Sequence, residues 1–210
     1  MYPTHKRTFF LIAAVLTSFS YLTYAGGNPQ NIAINEVFYK GNASQDWAEL
    51  INRGTEPVDI TGWRWCARFV YPAINQSSVL SGNPDLIIDP GEIIALAVNI
   101  DLNDNTSDFG LYTTSPFSNA NNMVDFFQYG TSANVGRSDV AVTKDIWLET
   151  SLGVYDFVPT IANNDTVNWC GTESGGGFLT TSLDFINTTA TQGMPNNVMS
   201  CDPIFINGFE

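Results

Sequence analysis

The chain has 210 residues, 44% of them hydrophobic and 13% aromatic, too apolar for a disordered segment and long enough to bury one sizeable core. Its 21 Asp and Glu outnumber eight Lys and Arg. A balance this acidic repels phosphate backbones and argues against nucleic acid as a partner.

The first 25 residues read as a signal peptide. His5, Lys6 and Arg7 form a basic head, residues 8–22 are mostly apolar, and Thr23-Tyr24-Ala25 offers small residues where a signal peptidase reads them. Thr17, Ser18 and Ser20 interrupt the apolar run, which falls short of the roughly 20 residues that span a bilayer. The expectation is cleavage after Ala25, a mature chain without a membrane span, and a destination that is secreted or on the cell surface. Beyond Ala25 six Lys and Arg face 21 acids, a net of −15, and no histidine remains, since His5 is the only one. Hydrolases that need an imidazole to take a proton from serine or cysteine are thereby excluded for the processed chain. Without histidine, and with three scattered cysteines, a zinc site is not expected either.

Residues 26–30 read as a short linker. Residues 32–39 then carry Ile32, Ile34 and Phe38 on one face, interrupted by Glu36, and residues 46–52 set Ala48 and Leu50 opposite Trp47, Glu49 and Ile51. Such alternation is the mark of a half-buried strand. Residues 53–57 break the second strand, and Thr61-Gly62 opens a third over residues 62–71. In it Trp63, Trp65, Ala67 and Phe69 share one face and Arg64, Cys66 and Arg68 the other. The aromatic face is expected in the core, with an exposed tryptophan platform for sugars as the functional alternative. Residues 72–85 read as a loop, 86–88 as a short strand, and 92–99, after the Asp89-Pro90-Gly91 turn, as a central strand apolar on both faces.

In residues 101–108, Asp101, Asn103 and Asn105 place oxygen-bearing side chains at alternate positions, with Asp104 and Asp108 beside them. Hard cations take six to eight oxygens, so this is a candidate calcium loop, against the reading of a solvated turn. It is not an EF-hand: Thr106 stands where that loop needs glycine and Tyr112 where it needs glutamate. Residues 123–130 alternate as another strand, 140–142 and 146–148 are short apolar pieces expected at an edge or cap, and 166–170 is expected to be the last strand. Residues 174–177 read as a flexible loop, with no lysine behind it to make a phosphate cradle.

Cys170 and Cys201 flank the C-terminal loop and are expected to pair, leaving Cys66 as an unpaired thiol; the alternative pairs Cys66 with Cys170. Glu36 and Glu49, on neighbouring expected strands, are the carboxylate pair to test for glycoside hydrolysis.

Asn35-Glu36-Val37, then Trp47-Ala48-Glu49-Leu50-Ile51-Asn52, then Val58-Asp59-Ile60-Thr61-Gly62-Trp63 resemble the opening of a lamin tail domain. Pro90-Gly91 before an apolar strand, and Gln192-Gly193-Met194-Pro195-Asn196, are similar to later pieces of that family, with Gln192 where a proline is usual. The resemblance implies an all-β, immunoglobulin-like β-sandwich over residues 31–198, followed by a C-terminal tail, 199–210. That tail ends in Ile-Phe-x-Asn-Gly-Phe-Glu, similar to the ends of some gammaproteobacterial exported proteins. Family acids at the positions of Glu36 and Glu49 occur in proteins with no hydrolase activity, which implies structural roles. The expected function is a non-catalytic, bacterial, secreted module for adhesion to an unknown protein or polysaccharide at the cell surface. The alternative is a calcium-assisted carbohydrate or surface-polymer binder; otherwise no cofactor is expected.

Overall fold

A computed structural model describes residues 26–41, 45–171 and 179–196. The readings made for the signal peptide, for the glycine-rich stretch at 174–177, for Cys201 and for the C-terminal tail lie outside these residues.

The described chain is all-β, built mainly of antiparallel strands with little helix. Strands β1 (Ile32–Phe38), β2 (Trp47–Asn52), β3 (Val58–Asp59), β4 (Arg64–Cys66), β5 (Val79–Ser81), β6 (Ile87–Ile88) and β7 (Ile93–Ala97) make up the first half. The second half holds β8 (Ser107–Tyr112), β9 (Met123–Tyr129), β10 (Glu149–Ser151), β11 (Val154–Tyr155), β12 (Asp165–Trp169) and β13 (Phe185–Thr189). Among the described residues one sheet has the order β13-β12-β1-β2-β7-β5 and a second the order β4-β8-β9, with β3-β6 and β10-β11 as small ribbons.

The two larger sheets share one core. Tyr39 stacks on Tyr129 with ring centroids 3.9 Å apart, Phe127 lies 5.4 Å from Phe185, and Trp65 stacks on Phe109 at 5.0 Å. Large apolar faces drawn out of water stabilise at roughly 25 cal/mol per Å², and the fully buried Trp65, Phe109, Phe126 and Phe127 supply much of that area. A polar tie joins the sheets as well. The Asp125 carboxylate on β9 accepts the Ile34 backbone N–H at 2.6 Å, beside a register shift in the β1–β2 ladder between Ile34 and Glu36.

Several expectations change. Residues 62–71 are not one strand: β4 stops at Cys66 and the chain turns back at Arg68-Phe69. Trp63, Trp65 and Ala67 are buried as expected, but Phe69 is 58% exposed. Cys66, placed on the polar face by alternation, is fully buried, paired across the ladder with Gly110 and beside the buried Asp108 carboxylate. β8 is a strand buried along its whole length, although its sequence Ser-Asp-Phe-Gly-Leu-Tyr shows no clear alternation. Residues Ser138–Thr143 form a short helix, α1, against β9. Among the described residues the last strand is β13, beyond the expected one. Residues 26–30 are not free of the domain, since the Gly27 N–H donates to Pro57 O at 2.7 Å. Among the described residues no helix is long and apolar enough to cross a membrane.

Candidate functional site

Glu36 and Glu49 face each other across the β1–β2 ladder, and both are buried. Hydrogen bonds from a distant stretch of chain reach them. Glu36 accepts from Thr166 Oγ1 at 2.5 Å, from the Thr191 N–H at 2.9 Å and from Thr191 Oγ1 at 2.7 Å. Glu49 accepts from Asn35 Nδ2 at 3.1 Å and from the Gly193 N–H. Asn196 completes the network, its Nδ2 donating to Asn35 O, Asn35 Oδ1 and Trp169 O at 2.9–3.1 Å. Burial lifts the Glu49 carboxyl to about 7, the Glu36 charge adds to the lift, and the Gly193 and Asn35 donors oppose it. The pair thus clasps residues 191–196 across the middle of the larger sheet, and its oxygens point into hydrogen-bond donors.

A second node gathers other residues of the opening motif. The Gly91 N–H donates to Asn52 O at 2.8 Å, and Asn52 Nδ2 donates to Ile88 O and Glu56 O. Gly91 has φ +77°, the left-handed value that the position after Pro90 in a tight turn requires. Gly62 likewise turns the chain at φ +78° before buried Trp63, and Trp47 is buried on β2 against Phe38.

Residues 101–108 do not present their oxygens as a set. Asn103 Oδ1 accepts the N–H groups of Asn105 and Thr106 at 3.0 and 2.9 Å, closing a local turn. Asp101, Asp104 and Asn105 are exposed, whereas Asp108 is fully buried on β8. The base of the loop hangs on Asp46, which accepts from the Leu102 and Gly41 N–H groups at 2.8 and 3.2 Å; burial raises it to about 6. Among the described residues no three His, Cys, Asp or Glu groups converge as a metal site.

Asp108 instead organises a surface that sequence reasoning missed. One oxygen accepts the Arg68 N–H at 2.6 Å and the other accepts the Arg137 N–H at 2.9 Å, so a single carboxylate holds two loops. Burial raises it to about 6, against the pull of those two donors. Above it, Ala67 and Val70 exchange backbone hydrogen bonds at 2.9–3.1 Å, leaving Arg68 and Phe69 as the two central residues of the turn. Both have positive φ, +48° and +68°, as a type I′ hairpin demands and as Asn-Gly usually supplies. The Arg137 guanidinium lies 5.0 Å from the Phe69 ring and 5.8 Å from that of Tyr71, and its Nε donates to Tyr71 Oη at 2.8 Å. Tyr71 stacks on Phe117 at 3.8 Å, and Arg64 donates to Tyr71 O at 3.1 Å. The only sequence signal for this site is the closeness of Arg64 and Arg68 in a chain poor in cations.

The tryptophans of β4 and its neighbour are not an exposed platform, because Trp63 and Trp65 are buried. Cys66 is a free thiol in the core, beside Asp108.

Comparison of the chain with protein-family models, with curated proteins and with solved structures finds no match in any of the three.

Proposed function

We propose that the processed chain is a secreted, non-catalytic module of the lamin-tail, immunoglobulin-like type that works by adhesion at the envelope or in the extracellular matrix. One observation carries the reading: residues of the resemblance that stand 161 apart in sequence, Asn35 and Asn196, bond to one another beside Glu36 and Glu49. The opening and closing motifs therefore act as one structural device, and the two acids serve it. A retaining glycosidase needs its carboxylates open to the sugar and to water, which this pair is not.

The pairing of Cys170 with Cys201 belongs to the same reading. It is supported by the free thiol of Cys66 and by the participation of Cys170 in a disulfide. Closing about 30 residues would stabilise by roughly 3–4 kcal/mol on the chain-entropy view. The calcium-assisted alternative draws no support from Asn103, whose oxygen is already engaged.

The test is to incubate the purified, processed protein with envelopes of the producing cell and with a panel of glycoside substrates. Retention on envelopes without turnover is expected. Hydrolysis that disappears in Glu36→Gln would overturn the non-catalytic reading. A thermal midpoint that does not move with added calcium or with chelator is also expected, because an ion bound only to the native state raises that midpoint.

A further inference from the structure

We infer that the Arg68-Phe69 turn and the groove beside it form a binding site for a short, carboxylate-bearing saccharide, of the uronic-acid type. This rests on the adhesion reading and supplies its contact surface. Beyond Ala25 the chain has six Lys and Arg, and Arg64, Arg68 and Arg137 gather around this one turn. Their neighbours are rings: Phe69, Tyr71 and Phe117.

The turn is held in a costly shape. An L-residue in the left-handed region loses roughly 1 kcal/mol or more, and here two stand in succession where glycine or asparagine would sit without strain. Asp108, buried below, over-determines that geometry through the N–H groups of Arg68 and Arg137. The result is a cation and a ring projected into solvent: Arg68 is exposed and Phe69 is 58% exposed. Backbone strain retained at an exposed polar and aromatic tip is a frequent mark of a working site.

Beside the tip lies a groove of about 340 Å³, lined by Ala67, Arg68, Val70, Ile100, Asp101 and Ser107. Its chemistry selects the occupant. Apolar walls and the Phe69 face suit the C–H face of a sugar ring. Asp101, exposed at the groove, offers an acceptor for sugar hydroxyl groups. Arg68, the one arginine that lines the groove, attracts a carboxylate, which a neutral sugar lacks. The net charge of −15 beyond Ala25 holds a long polyanion away from the rest of the surface, so the ligand is a chain end or a short oligomer.

The experiment titrates the purified, processed protein with trigalacturonate and, separately, with maltotriose, following binding by calorimetry at low and at moderate salt. Trigalacturonate should bind and weaken as salt rises, and maltotriose should bind at least tenfold less well. Arg68→Gln and Phe69→Ala, both at exposed positions, should each weaken trigalacturonate binding about fivefold or more with an unchanged thermal midpoint. Equal binding of the two sugars, no binding of the acidic one, or binding untouched by both substitutions would overturn the assignment. Envelope retention separates the two readings. If both variants stay on envelopes as the parent does, this surface is wrong and adhesion stands; if the parent is not retained, the adhesion reading itself fails.

Discussion

The Glu36–Glu49 pair and Asp108 perform the same mechanical task at two places, yet the outcomes are opposite. Each is a buried carboxylate site that accepts backbone N–H groups from segments far away in sequence. At the pair, the held segment, residues 191–196, closes over the acids and shares its own polar groups with them. At Asp108 the held turn faces outward and offers Arg68 and Phe69 to solvent. The same polar device therefore builds the fold in one place and presents a surface in the other. What separates them is where the donors' own side chains go.

The largest expected effect tests what the two have in common. Glu49, Asp46 and Asp108 all have folded-state values raised by burial, to about 7, 6 and 6, above ordinary ones of 4.5, 3.8 and 3.8. A raised value means that the folded state holds the proton more tightly than the unfolded chain does. The stabilisation is complete below about pH 4 and is lost as pH rises toward 7. For fully buried Asp108 alone the loss is on the order of 3 kcal/mol. Denaturant midpoints measured between pH 4 and pH 8 should fall accordingly. Glu49→Gln should flatten the upper part of that fall and Asp108→Asn the lower part. A flat profile in the parent protein would remove the claim that both places rest on buried, protonatable acids.

Next comes the clasp by itself. Glu36→Ala leaves the Thr191 N–H without its acceptor and reduces Thr166 Oγ1 and Thr191 Oγ1 to their weaker second acceptors, Thr188 O and Asn196 Oδ1. Losing these bonds costs roughly 1–3 kcal/mol, read as a lower denaturant midpoint with the groove at the turn unaffected. Gly193→Ala should cost less, about 1–2 kcal/mol, since φ is +75° and a Cβ there meets Ser81 Oγ at 2.6 Å. A neutral Gly193→Ala would mean that residues 191–196 do not lie on the sheet as described.

The clasp was legible in the sequence and the turn was not, for physical reasons. Strands β1, β2, β7, β9 and β12 announce themselves by alternation or by continuous apolar runs, and the opening motif marks Glu36 and Glu49. That the acids are buried was not readable, because a charge on a strand face ordinarily reads as solvated. β8 hid for that reason: Asp108 gave a loop-like start to a strand that is wholly covered. Helix α1 hid because its Val140-Ala141-Val142 has the composition of a strand, and packing against β9 decides the outcome. β13 hid because Phe-Ile-Asn-Thr-Thr is a half-exposed edge. The Arg68-Phe69 turn carries no Gly, Pro or Asn, and only the hydrogen bonds to Asp108 and between Ala67 and Val70 reveal it.

Arg68→Gly has the smallest expected effect on stability and draws the sharpest line between the two regions. The Arg68 side chain is exposed and its backbone φ is +48°. Glycine enters that region without the Cβ clash, so the substitution should raise stability by roughly 0.5–1 kcal/mol, provided that the N–H to Asp108 is kept. The greater backbone freedom of glycine in the unfolded chain works the other way and keeps the gain small. At Glu36, Glu49, Asn35 and Asn196 no comparable exchange is available, since each of those side chains makes a bond that the fold uses. A protein that gains stability on losing Arg68 carries that residue for something other than folding. A clear loss of stability on Arg68→Gly would instead make the turn a structural element like the clasp, and the contrast between the two regions would collapse.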